Sequence, residues 1–207
     1  IDWEQQEDLG LCIVMEYVDG ISLKEFMIQG KLTQPLAYKF IRELCEALHY
    51  IHSKQLVHKD LKPENIIITH NGNNVKLIAF GLSDRDDYDT LKIPAGTKKY
   101  LAPEQLLSHA SLDCRTDIYS LGVIIQDITS VIKDRRLVRI AQKCTQKNPD
   151  KRFHSAQEVL EALNVRRHSK SILYISAVAL LSFLTTFYLK NLSSQPDKSS
   201  INRVYSN

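Results

Sequence analysis

The stretch HKDLKPENIII, residues 58–68, gathers three side chains whose types suit one chemistry. Asp60 offers a carboxylate that can accept or orient a hydroxyl proton. Lys62 offers an ammonium that can neutralise charge on a transferring group, and Asn65 an amide oxygen that can bind a cation. Pro63 forbids a helix through the stretch and stiffens it as a loop. Each residue alone reads as a solvated loop side chain. Three at this spacing, running into the apolar strand at Ile66, suit phosphoryl transfer.

A hairpin must position them. The run IIIT (66–69), the turn HNGNN and the run VKLI (75–78) predict two antiparallel strands, with Asn71-Gly72 as the turn signal. Such a pair brings Asn65, entering the first strand, close to Ala79, leaving the second. A further strand is expected over LCIVMEYV, residues 11–18, from its β-branched and apolar content. The remaining pattern is helical. Ser22 to Glu25 form a capping box ahead of Phe26 and Met27. Thr33 as N-cap and Pro35 in the first turn open a longer helix whose Leu36, Phe40, Leu44, Leu48 and Ile51 recur as a core face. DIYSLGVIIQDI, residues 117–128, is apolar nearly all round and predicts a buried helix. SAQEVLEAL, residues 155–163, opens with a second capping box.

Composition sets the outer bounds. The 207 residues are 43% hydrophobic and 25% charged, enough for one packed domain and an appendage. A net charge of +3 is too close to neutral for a nucleic-acid surface, so no nucleic-acid partner is expected. Cys12, Cys45, Cys114 and Cys144 stand singly, without metal-ligand spacing, and read as reduced, mostly buried thiols. His49, His52 and His109 lack partners at ligand spacing and receive no role. DRDDYD, residues 84–89, reads as a solvated loop.

Residues 58–65 resemble the catalytic loop of protein kinases, H-R-D-L-x-x-x-N, and a lysine two after the aspartate resembles the Ser/Thr-specific branch. The resemblance extends over roughly residues 9–163. VMEYVDG is similar to the hinge. There Met15 would be the gatekeeper, the Glu16 C=O and Val18 N–H would face the adenine edge of ATP, and Ile67 would be the apolar floor under the base. GTKKYLAPE, residues 96–104, is similar to the end of an activation segment, with Thr97 near the catalytic loop, and Tyr88 and Thr90 fall where the family carries phosphosites. The resemblance also implies that Glu104 pairs with Arg152 and that Asp117 holds the catalytic loop. The implied fold is α+β and protein-kinase-like, mostly the helical C-terminal lobe with the last strands of the N-terminal lobe.

Departures from the family pattern bear on activity. Where the family has Asp-Phe-Gly, this chain has Ala79-Phe80-Gly81, and a methyl group cannot ligate the Mg²⁺ that bridges nucleotide phosphates. Asn65 is the remaining expected metal ligand. Lys59 stands where many members have arginine, and supplies a point charge rather than a fork. No glycine-rich loop or V-A-I-K-like lysine precedes the hinge, and Ile1 as first residue makes truncation of a longer protein the expected reason. The connection between Ser130 and Leu137 is too short for the further helix the family inserts there.

SILYISAVALLSFLTTFYL, residues 171–189, is an uncharged run of the length that crosses a bilayer and is expected to be a transmembrane helix. Arg166, Arg167 and Lys170 before it place the preceding domain in the cytoplasm by the positive-inside rule. The expected organisation is therefore 1–18, the end of the N-lobe and hinge; 19–165, the C-lobe; 166–190, a basic juxtamembrane segment and span; and 191–207, a polar tail carrying the sequon-like Asn191-Leu192-Ser193. The expected function is a membrane-anchored Ser/Thr protein kinase using ATP and Mg²⁺ on protein substrates, impaired by Ala79. The alternatives are a pseudokinase acting as a nucleotide-binding or docking scaffold, and an inactive gene fragment.

Overall fold

Helix α2 (Gln34–Ser53) forms where apolar side chains recur at helical spacing, and that stripe is what it buries. Ala37, Phe40, Ile41, Leu44, Cys45, Leu48 and Ile51 all face the core. The computed structural model describes the backbone of residues 2–6, 10–14, 16–79, 97–107 and 111–193, and the side chains of 16–79, 98–107, 111–164 and 176–190. The chain divides into two units, Ile1–Leu163 and Asn164–Asn207.

The first unit opens with strands β1 (Asp2–Gln6) and β2 (Gly10–Val14), an antiparallel pair in which Asp2 lies opposite Val14. Strand β3 (Gly20–Ser22) runs directly into helix α1 (Leu23–Ile28), and α2 follows. A 3-10 turn, Pro63–Asn65, leads into β4 (Ile66–Thr69) and β5 (Val75–Leu77). These join β3 in a three-stranded antiparallel sheet of order β3-β4-β5, with Ile68 between Ile21 and Val75. Two 3-10 turns, Thr97–Tyr100 and Pro103–Leu106, precede helices α3 (Cys114–Val131) and α4 (Arg135–Cys144). A last 3-10 turn, Pro149–Lys151, comes before helix α5 (Ala156–Ser193).

The expected helices are present. At α1, the Ser22 hydroxyl accepts from the Glu25 N–H at 3.2 Å while the Glu25 carboxylate accepts from the Ser22 N–H at 3.1 Å, completing the capping box. Thr33 caps α2 through its backbone alone, without a side-chain bond. The second box is displaced: the Ser155 hydroxyl accepts from the Glu158 N–H, but Glu158 reaches back to the N–H of His154, one residue earlier. The connection from α3 to α4 is short, as expected, and Asp134 caps α4 by accepting from the N–H groups of Arg136 and Leu137.

The strands differ more. Of the strand expected over 11–18, residues 11–14 belong to β2 and residues 16–19 are irregular; Met15 lies outside the described residues. Strands β1 and β3 were not expected, and β3 exists because β4 offers it an edge.

The core centres on α3, whose Ile118, Leu121, Ile124, Ile125 and Ile128 are buried, with Leu137, Ile140 and Cys144 of α4 in the same cluster. Cys45 and Cys144 are buried free thiols and Cys114 is half-buried, in line with the reduced state expected of them; burial pushes the Cys144 thiol up to about 12. Cys12 lies outside the described side chains.

In the second unit the backbone stays helical through Ser193, and Val178, Leu181, Phe183, Phe187 and Leu189 are exposed along it. Among the described residues, no helix is long and apolar enough to cross a membrane. Of the expected span, the side chains of residues 176–189 are described and those of 171–175 are not.

Where α3 meets α4, Gly122 leaves no room: a Cβ there would lie 2.4 Å from Cys144 Cβ and 2.8 Å from Thr145 Cγ2. Gly122→Ala is expected to destabilise the first unit by about 1–3 kcal/mol through overpacking, despite alanine's better helix propensity. Urea unfolding checks this, and a gain in stability would show that the two helices are free to separate.

Candidate active site

Asp117, in the first turn of α3, is fully buried at 0% exposure. Its Oδ1 accepts from the Lys59 N–H at 2.9 Å, and its Oδ2 from the His58 N–H at 2.8 Å, with His52 Nε2 of α2 also at 2.8 Å. A buried carboxylate is costly unless its lone pairs are bonded. These bonds satisfy it, and they fix the loop backbone to two core helices. This is the loop-holding arrangement that the kinase resemblance implied for Asp117. His52, which sequence reasoning left without a role, is part of it.

The backbone so held is unusual. Lys59 has φ +64°, in the left-handed region, and is buried. That conformation costs a non-glycine residue about 1–2 kcal/mol. It persists because Asp117 takes the Lys59 N–H while Gln105 Nε2 donates to the Lys59 C=O at 2.8 Å. Gln105 is itself locked, its Oε1 accepting from the Ala102 N–H at 2.9 Å. Sequence reasoning missed Gln105 too, since an amide beside Pro103 and Glu104 looks like a surface residue.

The three chemistry-bearing residues come together. Lys62 Nζ donates to both carboxylate oxygens of Asp60, at 3.0 and 2.8 Å. Asn65 Nδ2 donates to the Asp60 C=O at 2.8 Å and to Asp60 Oδ2 at 2.9 Å. Both amide hydrogens of Asn65 are thereby directed at Asp60, and Asn65 Oδ1 has no hydrogen-bond partner among the described residues. Asp60 is anchored in turn through its N–H, which donates to the His58 C=O at 2.9 Å and approaches His58 Nδ1 at 3.3 Å. With Nδ1 accepting, His58 Nε2 carries the hydrogen and donates to the Ile78 C=O at 3.0 Å.

The hairpin register works as expected: the Ile78 N–H donates to the Asn65 C=O at 3.0 Å, so Ala79 follows immediately after the residue facing Asn65. Ala79 is exposed and has φ +67°. Asp and Asn are enriched several-fold at such angles, whereas alanine carries strain there. The backbone at residue 79 thus holds a left-handed angle that asparagine or aspartate adopts more readily than alanine. Among the described residues, no group of three or more His, Cys, Asp or Glu side chains could hold a metal ion.

A second buried brace lies beyond the loop. Arg152, 1% exposed, directs Nη1 and Nη2 at Glu104 Oε1 and Oε2, at 2.6 and 2.8 Å. Its other donors reach the C=O groups of Gln146, Arg115 and Lys147 at 2.7, 2.9 and 3.1 Å, so every guanidinium hydrogen has an acceptor. The pair implied by the resemblance is formed. The Tyr100 hydroxyl donates to Asp127 Oδ2 at 2.7 Å, and Lys99 pairs with the same carboxylate. Burial, then the Asp127 bond, push the Tyr100 hydroxyl well above its ordinary value.

Glu16 and Val18 lie in the irregular segment after β2, and Lys76 Nζ of β5 reaches Glu16 Oε1 at 3.3 Å. Ile67 is half-buried on the face of β4 opposite the buried Ile66 and Ile68. The side chain of Thr97 and all of residues 84–90 lie outside the description.

A short helical-lobe core, a catalytic-type loop pinned by a buried aspartate and a Glu–Arg brace define a protein kinase domain, and the family described by that name matches residues 2–133. The chain belongs to the protein kinase family, Ser/Thr type. It is 35% identical over 127 residues to the serine/threonine-protein kinase pkn2 of Myxococcus xanthus, covering 58% of this chain and 15% of that one. It is 32% identical over 182 residues to the serine/threonine-protein kinase PknB of Mycolicibacterium smegmatis, covering 71% and 29%. With the human myosin light chain kinase 3 the identity is 40% over 116 residues, covering 54% and 14%. The chain thus spans less than a third of the length of these relatives. The solved kinase domain of Mycobacterium tuberculosis PknI shares the fold, with TM-score 0.61 and 24% identity over 79% of this chain and 68% of that one.

Removing one partner of the buried brace leaves a charge uncompensated. Arg152→Met is expected to destabilise the first unit by about 3–5 kcal/mol. Chemical denaturation measures it, and a loss below roughly 1 kcal/mol would mean that water or another cation replaces the guanidinium.

Proposed function

We propose that this chain is part of a membrane-anchored Ser/Thr protein kinase whose reaction is transfer of the ATP γ-phosphoryl group to Ser and Thr hydroxyls of proteins. The observation that carries the reading is the single hydrogen-bonded unit of Asp60, Lys62 and Asn65, fixed through its loop by Asp117. In this reading Asp60 orients the attacking hydroxyl and takes its proton, and Lys62 offsets charge on the transferring phosphoryl group. The Glu16 C=O and Val18 N–H take the adenine edge; among the described residues neither is used in an internal hydrogen bond. Ile67 supplies the apolar floor.

Asn65 Oδ1 is the oxygen available to a cation, but the residues present do not fit a fully held Mg²⁺. Ala79 offers only a methyl group, and Asp60 is engaged by Lys62 and Asn65. Mg²⁺ prefers anionic oxygen ligands in near-octahedral geometry. Turnover is accordingly weak in this proposal. Ala79 also favours a second reading, a pseudokinase in which the same loop and hinge serve nucleotide binding or partner docking.

The anchor rests on the apolar run 171–189, on the unbroken helical backbone of Ala156–Ser193, and on Arg166, Arg167 and Lys170 ahead of the run. These features support a single-pass segment with the kinase domain, residues 19–165 together with the hinge-bearing 1–18, on the cytoplasmic side.

In the natural polypeptide containing these residues, Ala79→Asp is expected to raise Mg²⁺-dependent phosphotransfer about a hundredfold or more. The left-handed backbone at residue 79 accepts aspartate without rearrangement, so equal rates in the two forms would mean that another group holds the metal. The anchor predicts that the intact protein sediments with membranes and is released by detergent; recovery in the soluble fraction without detergent would refute it.

A further inference from the structure

Helix α4 turns Leu137, Ile140, Ala141 and Cys144 into the core, and its opposite face carries Arg135, Val138, Arg139, Gln142 and Lys143, all exposed. Lys133 before the helix and Lys147 and Lys151 after it are exposed as well. Seven of the chain's 27 Lys and Arg residues, but two of its 24 acidic ones, fall within residues 133–151. Neither acid neutralises the face. Asp134 is occupied with the helix cap and with Gln34 and Tyr38, and Asp150 pairs with Arg115. Among the described residues, none of Lys133, Arg135, Arg139, Lys143, Lys147 and Lys151 is paired with a carboxylate. Lys143 lies 4.1 Å from the centre of the Phe153 ring, and Arg139 Nε reaches only the Arg135 C=O.

This arrangement opposes the helix that bears it. Arg135, Arg139 and Lys143 succeed one another at four-residue spacing, where like charges repel. Arg135 and Arg136 occupy the first turn, where the helix dipole disfavours cations. An external anionic surface laid against this face would relieve both effects.

We propose that the exposed face of α4 docks on the anionic lipid surface of the membrane that holds the chain. The proposal rests on the anchor described above. It favours lipid over a soluble polyanion because the apolar run begins within 20 residues of Lys151, preceded by Arg166, Arg167 and Lys170. Outside residues 133–151 the chain has slightly more acidic than basic residues, so its net positive charge comes from this segment.

The test uses the full chain in lipid nanodiscs, of phosphatidylcholine alone or with about one third phosphatidylserine, the anionic lipid of such surfaces. Lysine acylation by an N-hydroxysuccinimide ester is read residue by residue by mass spectrometry. The expected result is labelling of Lys133, Lys147 and Lys151 about fivefold slower in the anionic discs, the factor that one surface-bound basic residue is worth. The protection should vanish at high salt and in an Arg135→Glu, Arg139→Glu variant. If that variant fails to fold, the salt series on the unaltered chain decides alone. Equal labelling in both kinds of disc would overturn the docking face while leaving the anchor standing. Failure of the chain to enter discs at all would overturn the anchor and the proposal with it. Protection by soluble heparin but not by anionic discs would assign the face to a soluble acidic partner, and would also overturn it.

Discussion

The Asp117 carboxylate is the constraint on which the site depends. It is out of water, so its lone pairs require donors, and the donors are the N–H groups of His58 and Lys59 and the ring of His52. That requirement joins α3, α2 and the loop at one point. Lys59 can then stay left-handed, and the turn that follows presents Asp60, Lys62 and Asn65 as one bonded cluster. His58 carries the constraint on to Ile78, at the end of the hairpin, so the position of residue 79 is also set from the core.

None of these bonds involves the residue 79 side chain. Asp117, Gln105 and the Glu104–Arg152 pair brace the loop and its surroundings through buried polar contacts of their own. A methyl group at residue 79 is therefore compatible with the scaffold. The φ of +67° at Ala79 is the trace of that scaffold: the backbone keeps a shape that suits aspartate better than alanine.

Much of this was legible in the sequence, for local reasons. Asp60, Lys62 and Asn65 lie within six residues, and a two-stranded hairpin with an Asn-Gly turn has few registers, so the approach of residue 79 to Asn65 followed from pattern alone. The helices were legible because an apolar stripe needs only a core to face. The His52–Asp117 contact was not, since 65 residues separate the two and only tertiary packing of α2 near α3 brings them together. The strand expected over 11–18 ran too long because β-branched composition says nothing of where a partner strand stops. Strand β3, three residues of Gly-Ile-Ser, is too short to show a period and exists through its pairing with β4.

The most direct test is phosphotransfer from ATP to Ser and Thr residues by the natural polypeptide in Mg²⁺, beside an Asp60→Asn form. The account predicts slow, Mg²⁺-dependent transfer that disappears in the substituted form, because Asp60 is the group proposed to take the hydroxyl proton. Transfer that persists undiminished without it would contradict the account; nucleotide binding with no transfer in either form would leave a docking scaffold in place of an enzyme.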